Sequence, residues 1–499
     1  MLLDKQNGQS YMVGFDLRDE SCQMSWCCRG KDGAVQEPVT YAVPEQISLP
    51  AGAAQESYGN TAISAGAEGG NSRSGNAAAN RSAGAGAVPS GAATSNSAGY
   101  GGAAAPDAPV YGGAAAPEAP MGQFDIPTAL AKREGVNQWH HGVEAIRKAA
   151  DPSYTYVPHL LSQAREHSVI TIENTAYEPE ALLALFISRC LGDLSDLMPD
   201  HRLSAIMFTS RRMDGRTINV LENVRQRLDV KCEVYYQSYA DSYYDFMLNQ
   251  EKALREPASA LFEYEPGGKL RVSRLMFNLH THPIVAYEEE SEYPGFSAQD
   301  DAGRDEEFAR IVRDELVGRN YVSSYLIGSG FKGGWMRQSS RLLCGNGRRA
   351  FLGANLYSKG AAYGAMFRVL KPAILSEYFF LDESKLRTNV LLEAYSHGTA
   401  QEITLVEAGV NWYEVEGRID LILESTGELN LILKSLTGGP EKPYHIRLEG
   451  LPVREGRITR IRMEYAMRQP DVLTLLMTDL GFGETFPSSR LKWEQKVTI

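Results

Sequence analysis

Positive charge is in short supply: 50 Lys and Arg stand against 62 Asp and Glu, a formal net charge of −12 over 499 residues. Without a basic excess to displace counterions from phosphates, nucleic acid is not expected as a partner. No run of about 18 or more apolar residues occurs, so no membrane-spanning helix and no membrane partner is expected. The first ten residues, MLLDKQNGQS, lack the basic stretch and apolar core of a secretion signal. Cysteine is scarce, and Cys22, Cys27, Cys28, Cys190, Cys232 and Cys344 follow the spacing of neither a zinc site nor a disulfide framework. These absences together point to a soluble protein of a reducing, cytoplasmic compartment.

What is present begins with an odd segment. Ala51–Gly122 is almost wholly Ala, Gly, Ser, Asn and Pro, and closes on a tandem repeat, YGGAAAPDAPV then YGGAAAPEAPM. Such a composition buries too little apolar surface to offset its ordering entropy, so a disordered insertion is expected, as a spacer or a partner-binding segment. Closing a loop of that length costs only about 2–3 kcal/mol more than a short turn, so a folded domain tolerates it.

Around the insertion, apolar runs Tyr11–Leu17 and Cys22–Cys28 read as strands, as do Val39–Val43 and Ile126–Lys132. Strands and helices then alternate from Val169 to Val369, the α/β pattern. From about Ala373, seven short runs of alternating polarity, the last at Val472–Thr478, read as an all-β sandwich. One turn stands out: the strand Val322–Ile327 runs into Gly328-Ser329-Gly330, and a helical pattern follows from about Trp335. Strand, Gly-rich turn and helix can present backbone N–H groups to a phosphate or nucleoside, although any tight turn also needs Gly.

This order of elements resembles the actin-like ATPase superfamily, and within it the seventy-kilodalton heat-shock chaperones. The stretches that carry the likeness are YMVGFDLRDES, FDIPTALAKREGVNQWHHGVEAI, the long segment from AIMFTSRRMDG to YYDFML, the turn at Gly328–Gly330 and FLGANLYSKGAAYGAM. The stretch from Val390 to Ile499 is similar to the chaperones' substrate-binding β domain. The resemblance implies a two-lobed α/β actin-like ATPase fold over 1–50 and 123–372, with its lid subdomain reduced. It implies a β-sandwich over 373–499. It also implies ATP or ADP with Mg as the ligand to consider, a polypeptide as partner, and Asp16, Gly328, Ser329, Gly330 and Lys332 as nucleotide-binding positions. Asp16 would hold the metal through water. Lys332 could contact the nucleotide, but a solvated surface lysine is the favoured reading.

Departures from the pattern bear on function. The first phosphate loop carries Arg18-Asp19-Glu20 where small hydroxyl and Gly residues are expected, and carboxylates there repel a polyphosphate. The water-positioning Glu aligns with Ser238, and the second phosphate loop aligns with Glu263–Lys269, which carries Glu265 and Pro266. No catalytic residue is therefore assigned. The helical lid over the peptide groove has no counterpart before the last residues, KVTI. The expected function is a chaperone-like binding or scaffold protein with a degenerate, non-hydrolysing cleft; a divergent ATPase and a filament subunit are the alternatives.

Other positions remain open. His280 and His282 would share a strand face and could chelate a metal, or serve as ordinary strand histidines. Glu288–Glu307 reads as a solvated acidic loop or a cation site. Tyr235, Tyr236, Tyr239, Tyr243 and Tyr244 suit either a contact surface or a filled cleft. Tyr378–Asp382 reads as an interdomain linker or a core strand.

Overall fold

A computed structural model describes residues 9–30, 34–43, 61–62, 123–316, 318–353, 355–396, 398–423, 427–436, 438–452, 454 and 459–499. Its first lobe is laid out by β1 (Ser10–Leu17), β2 (Ser21–Arg29), β3 (Val39–Thr40), helix α1 (Pro179–Leu197), β4 (Arg202–Ser210), α2 (Gly215–Arg227), β5 (Glu233–Ser238) and α3 (Tyr239–Leu248). The second follows with β6 (Ala258–Glu263), β7 (Leu270–Asn278), β8 (Ile284–Tyr293), α4 (Asp301–Leu316), β9 (Ser323–Ile327), α5 (Arg337–Leu343), β10 (Arg349–Leu352) and α6 (Leu356–Leu370). The sheets run β3-β2-β1-β4-β5 and β8-β7-β6-β9-β10. In each, the first three strands are antiparallel, and the last two run parallel to the first. The two lobes thus repeat one topology, and β1 and β6 are equivalent central strands, both buried throughout most of their length.

Local chemistry sets the ends of the helices. Pro179 begins α1, where its missing N–H costs nothing. Asp214 caps α2 by accepting from the Thr217 N–H at 2.9 Å. Ser238 and Asp241 form a reciprocal capping box on α3. The lobes meet where α6 crosses β1 and α3. A Cβ on Gly14 would lie 2.1 Å from the Ala362 nitrogen, and one on Gly360 would lie 1.9 Å from the Ser242 carbonyl oxygen. Only glycine permits that approach.

The chain leaves lobe II through β11 (Tyr378–Leu381), which adds in parallel to β8. The segment expected as a linker or core strand is therefore an edge strand of the second sheet, and part of 373–387 belongs to that lobe. A β-module follows: β12 (Thr388–Ser396), β13 (Thr399–Val406), β14 (Glu416–Leu423), β15 (Glu428–Ser435), β16 (Lys442–Arg447), β17 (Thr459–Gln469), β18 (Val472–Asp479) and β19 (Lys492–Thr498). Two four-stranded antiparallel sheets, β13-β12-β15-β16 and β14-β17-β18-β19, bury Val390, Leu431, Met463 and Leu475 in one core. Strand β19 is missing from the sequence reading because KWEQKVT alternates with charged residues.

Three other expectations change. Ile126–Lys132 is not one strand: Ile126–Pro127 pairs with β2, and Leu130–Arg133 joins Trp139–His141 and Tyr154–Val157 in a small sheet. His280 and His282 do not share a strand face. The Asn278 side chain accepts from the His280 N–H at 3.1 Å, turning the chain so that both imidazoles lie exposed before β8 begins. The acidic run is not a loop either, since its first part is β8 and its last part opens α4. Cross-strand pairs hold it, with Arg271 Nε 2.8 Å and Lys269 Nζ 2.6 Å from Glu292. The Ala51–Gly122 insertion lies outside the described residues except for Thr61 and Ala62, which pair with Leu352 and Phe351 at the outer edge of β10.

Within the β-module, buried Asp479 ties down the segment after β18. Arg454 meets its two oxygens at 2.9 Å each, and the N–H groups of Gly481 and Ser489 donate at 2.9 and 2.8 Å. Burial alone would raise its pKa, but these donors outweigh burial and hold it well below the ordinary carboxylate value. The associated stability is present above about pH 4 and lost as pH falls further. Asp479→Asn is expected to destabilise the protein at pH 7 and to flatten its acid sensitivity, read as melting temperature from pH 7 to 3. Gly360→Ala is expected to cost about 1–3 kcal/mol by forcing α3 and α6 apart. Gly192→Ala, where nothing lies within 4 Å of the new Cβ, is expected to gain up to about 1 kcal/mol in the same melts.

Candidate functional site

Between the lobes, the equivalent ends of β1 and β6 each present a carboxylate, Asp16 and Glu263. Asp16 is almost wholly buried. Its Oδ1 accepts from the Tyr239 hydroxyl at 2.5 Å, and Arg18 Nε lies 3.4 Å from its Oδ2. Arg18 also donates to Asp125 at 2.9 Å. Burial raises the Asp16 pKa, with Arg18 and the Tyr239 hydroxyl working against it. Glu263 receives the Arg211 guanidinium, and the Tyr357 hydroxyl donates to it at 3.1 Å.

The two tyrosines belong to repeat-related helices, Tyr239 opening α3 and Tyr357 near the start of α6. Their rings stack across the lobes with centroids 3.8 Å apart and planes at 14°. Arg211 sits over the outer part of this stack, 5.0 Å from the Tyr239 centroid. Burial, then the adjacent carboxylate in each case, pushes both phenols far above their usual range, so both remain neutral donors. The space between the ends of the central strands is thus filled by two aromatic rings and two ion pairs that satisfy one another.

The Gly-rich turn follows β9. Gly328 has φ of 103°, and a Cβ there would lie 2.2 Å from the Tyr264 carbonyl oxygen. A Cβ on Gly330 would lie 2.2 Å from the Tyr264 ring. Both glycines are accounted for by contact with Tyr264. The Ser329 N–H, one of the donors a phosphate would use, points to Glu265 Oε2 at 3.1 Å, and its hydroxyl donates to the same carboxylate. Lys332 is exposed just beyond the turn. Asp16 and the turn cap different sheets, and no hydrogen bond joins them. Among the described residues, no group of three or more His, Cys, Asp or Glu could hold a metal ion.

Of the tyrosines singled out in the sequence, Tyr239 fills the space between the lobes. The others do different work: Tyr235 lies under Arg368, whose guanidinium is 5.7 Å from the ring centroid, Tyr236 packs in lobe I, Tyr243 bonds Ser259 at 2.8 Å, and Tyr244 stacks on Phe380. Arg211 and Tyr357 escape sequence reading. Each looks like an ordinary surface-prone residue until folding brings it to Glu263, 52 and 94 positions away.

Residues 116–383 match a family described as "Family of unknown function (DUF5716) C-terminal". The chain belongs to that family. Residues 385–499 match a second one, "Domain of unknown function (DUF8552)", so the two matches divide the chain between β11 and β12. No curated protein matches this DUF5716 chain. No described helix is long and apolar enough to cross a membrane.

In this DUF5716 protein, removing one member of a half-buried ion pair leaves the other charge uncompensated. Arg211→Ala is expected to cost roughly 1–3 kcal/mol, and Glu263→Gln less. The double variant should recover part of the loss. Chemical denaturation of the four proteins in a double-mutant cycle reads the coupling, and additive losses would show that the pair does not act as one unit.

Proposed function

We propose that this chain is a non-hydrolysing, chaperone-like protein-binding or scaffold protein built on an actin-like pair of lobes. The observation that carries this reading is the filled space between the lobes: stacked Tyr239 and Tyr357, with Asp16 and Glu263 already neutralised by Arg18 and Arg211. A nucleotide there would have to displace aromatic burial and two ion pairs. It would also meet Glu265 at the one turn still shaped for phosphate.

The repeated strand order supports the actin-like reading, and the paired four-stranded sheets support the likeness of the β-module to a chaperone substrate domain. Edge strands β13 and β14 each end a sheet, and exposed Tyr395 and Ile422 on this module offer apolar contact to a polypeptide. Six free cysteines fit the cytoplasmic, reducing setting. On this reading Asp16, Gly328, Ser329, Gly330 and Lys332 are the vestige of a nucleotide site.

Calorimetry with Mg-ATP and Mg-ADP is expected to give no binding heat, and phosphate-release assays no turnover. Suppression of a denatured reporter's aggregation is expected to be independent of ATP. Micromolar nucleotide binding, with turnover abolished by Asp16→Ala, would overturn the proposal in favour of a divergent ATPase.

A further inference from the structure

Where the two lobes meet the β-module there is a cavity that the proposed function leaves unused. The cavity has a volume of about 210 Å³ and lies between α3, α6, β11 and the loop that carries Gly409 and Asn411. Asp245 of α3 reaches it, partly exposed. Gly364 of α6 makes the room: a Cβ there would lie 2.7 Å from Asp245 Oδ2 and 2.2 Å from Gln237 Oε1.

The charges around Asp245 do not balance. On its own helix stands Asp241. On α6 stands Arg368, in the segment after β11 stand Asp382 and Lys385, and on the β-module stands Glu414. Both cations are committed elsewhere. Lys385 Nζ lies 2.9 Å from Asp241 and 2.7 Å from Asn411, while Arg368 pairs with Glu414. Asp382 accepts from the Ser238 and Ser384 hydroxyls. Among the described residues no cation lies within ion-pair distance of Asp245. Burial, then the neighbouring Asp241, pushes its pKa up to about 8, against the pull of Lys385 and Arg368.

The paired groups Asp241, Lys385 and Arg368 line the cavity as well, with Gln237, Asn411 and Leu375, and aromatic rings make up most of the remaining wall. Tyr244 stacks on Phe380 with centroids 4.6 Å apart, and Phe379 is seated against Gly409. A carboxylate with no cation within ion-pair distance, beside aromatic rings and near two lining cations already paired with other carboxylates, matches the chemistry of an ammonium group. It does not match a hard divalent ion, which needs about six oxygens and finds no such cluster here. We propose that this cavity binds a small organic cation, an alkylammonium or quaternary ammonium group whose charge meets Asp245 and whose carbons face Tyr244, Phe379 and Phe380.

Choline chloride is the probe, measured by thermal shift and calorimetry on the full chain against sodium chloride at equal ionic strength. Choline is expected to raise the melting temperature. Its apparent affinity should increase about tenfold from pH 7 to pH 9, because the competent, ionised form of Asp245 grows from about a tenth to about nine-tenths of the population. Asp245→Asn keeps the shape, removes the ionisable group and is expected to fold at least as well while losing the choline effect. Phe379→Leu keeps apolar bulk and is expected to weaken choline binding several-fold. No choline-specific shift at either pH, or an equal shift in Asp245→Asn, overturns the proposal. Nucleotide binding is read separately and does not enter this test.

Discussion

Helices α3 and α6 meet through glycine, and the geometry between the lobes follows from that approach. With the absent Cβ of Gly360 placed 1.9 Å from the Ser242 carbonyl oxygen, the two helix axes come as near as backbones allow. Because α3 and α6 hold the same place in their two repeats, their N-terminal ends converge, and residues at those ends must face one another. Tyr239 and Tyr357 are those residues. One turn or two further along, the same approach leaves Gly364 beside Asp245 and Gln237. The filled space and the open cavity are thus two consequences of one helix contact, the first built where side chains are large and the second where α6 has none.

Electrostatics separates the two places. Asp16 and Glu263 each have an arginine and a tyrosine hydroxyl as partners, which for Asp16 offset part of the burial that raises its pKa. Asp241 has Lys385, which outweighs burial and lowers its pKa. Asp245 has an amide and no cation within ion-pair distance, and its pKa moves opposite to that of Asp241. A carboxylate left in that condition costs stability as pH rises toward 8, since its ionised form is disfavoured in the folded protein. Removing that cost needs either protonation or a cation from outside.

Much of this architecture was legible from the chain, and the limits have physical causes. The unbroken apolar run of Tyr11–Leu17 and the Pro-led helix at Pro179 were readable because burial on both faces and helix capping leave local marks. The collinear likeness of Tyr11–Ser21 and of Ala205–Leu248 carries the actin-like reading, which belongs to the proposal, whereas the repeated strand order is read from the structure. The Gly328–Gly330 turn was found, but not its occupant, because the contacts of Gly330 and Ser329 are made by Tyr264 and Glu265, far off in sequence. Arg211 and Tyr357 carry no local signal at all, since their role is defined by a carboxylate reached through tertiary structure. The histidine pair misled for the opposite reason. Alternation suggested a strand, and one Asn278 side chain turned the chain before the strand began.

The β-module is mounted on both lobes. Its entry strand β11 is hydrogen-bonded into the sheet of lobe II, yet its first polar contacts are with lobe I: Lys385 to Asp241, Ser238 to Asp382, and the Tyr413 hydroxyl to the Tyr236 carbonyl at 3.3 Å. Apolar packing adds to these bridges, since Tyr236 of lobe I and Trp412 and Val415 of the module belong to one buried cluster. The module is thus tied to both lobes, by strand addition to lobe II and by polar bridges and shared apolar burial with lobe I. Asp241 and Lys385, which form one of these bridges, also line the cavity around Asp245, together with Gln237 and Asn411. A ligand there would therefore act on the contacts that couple the module to the lobes, rather than on a surface remote from them.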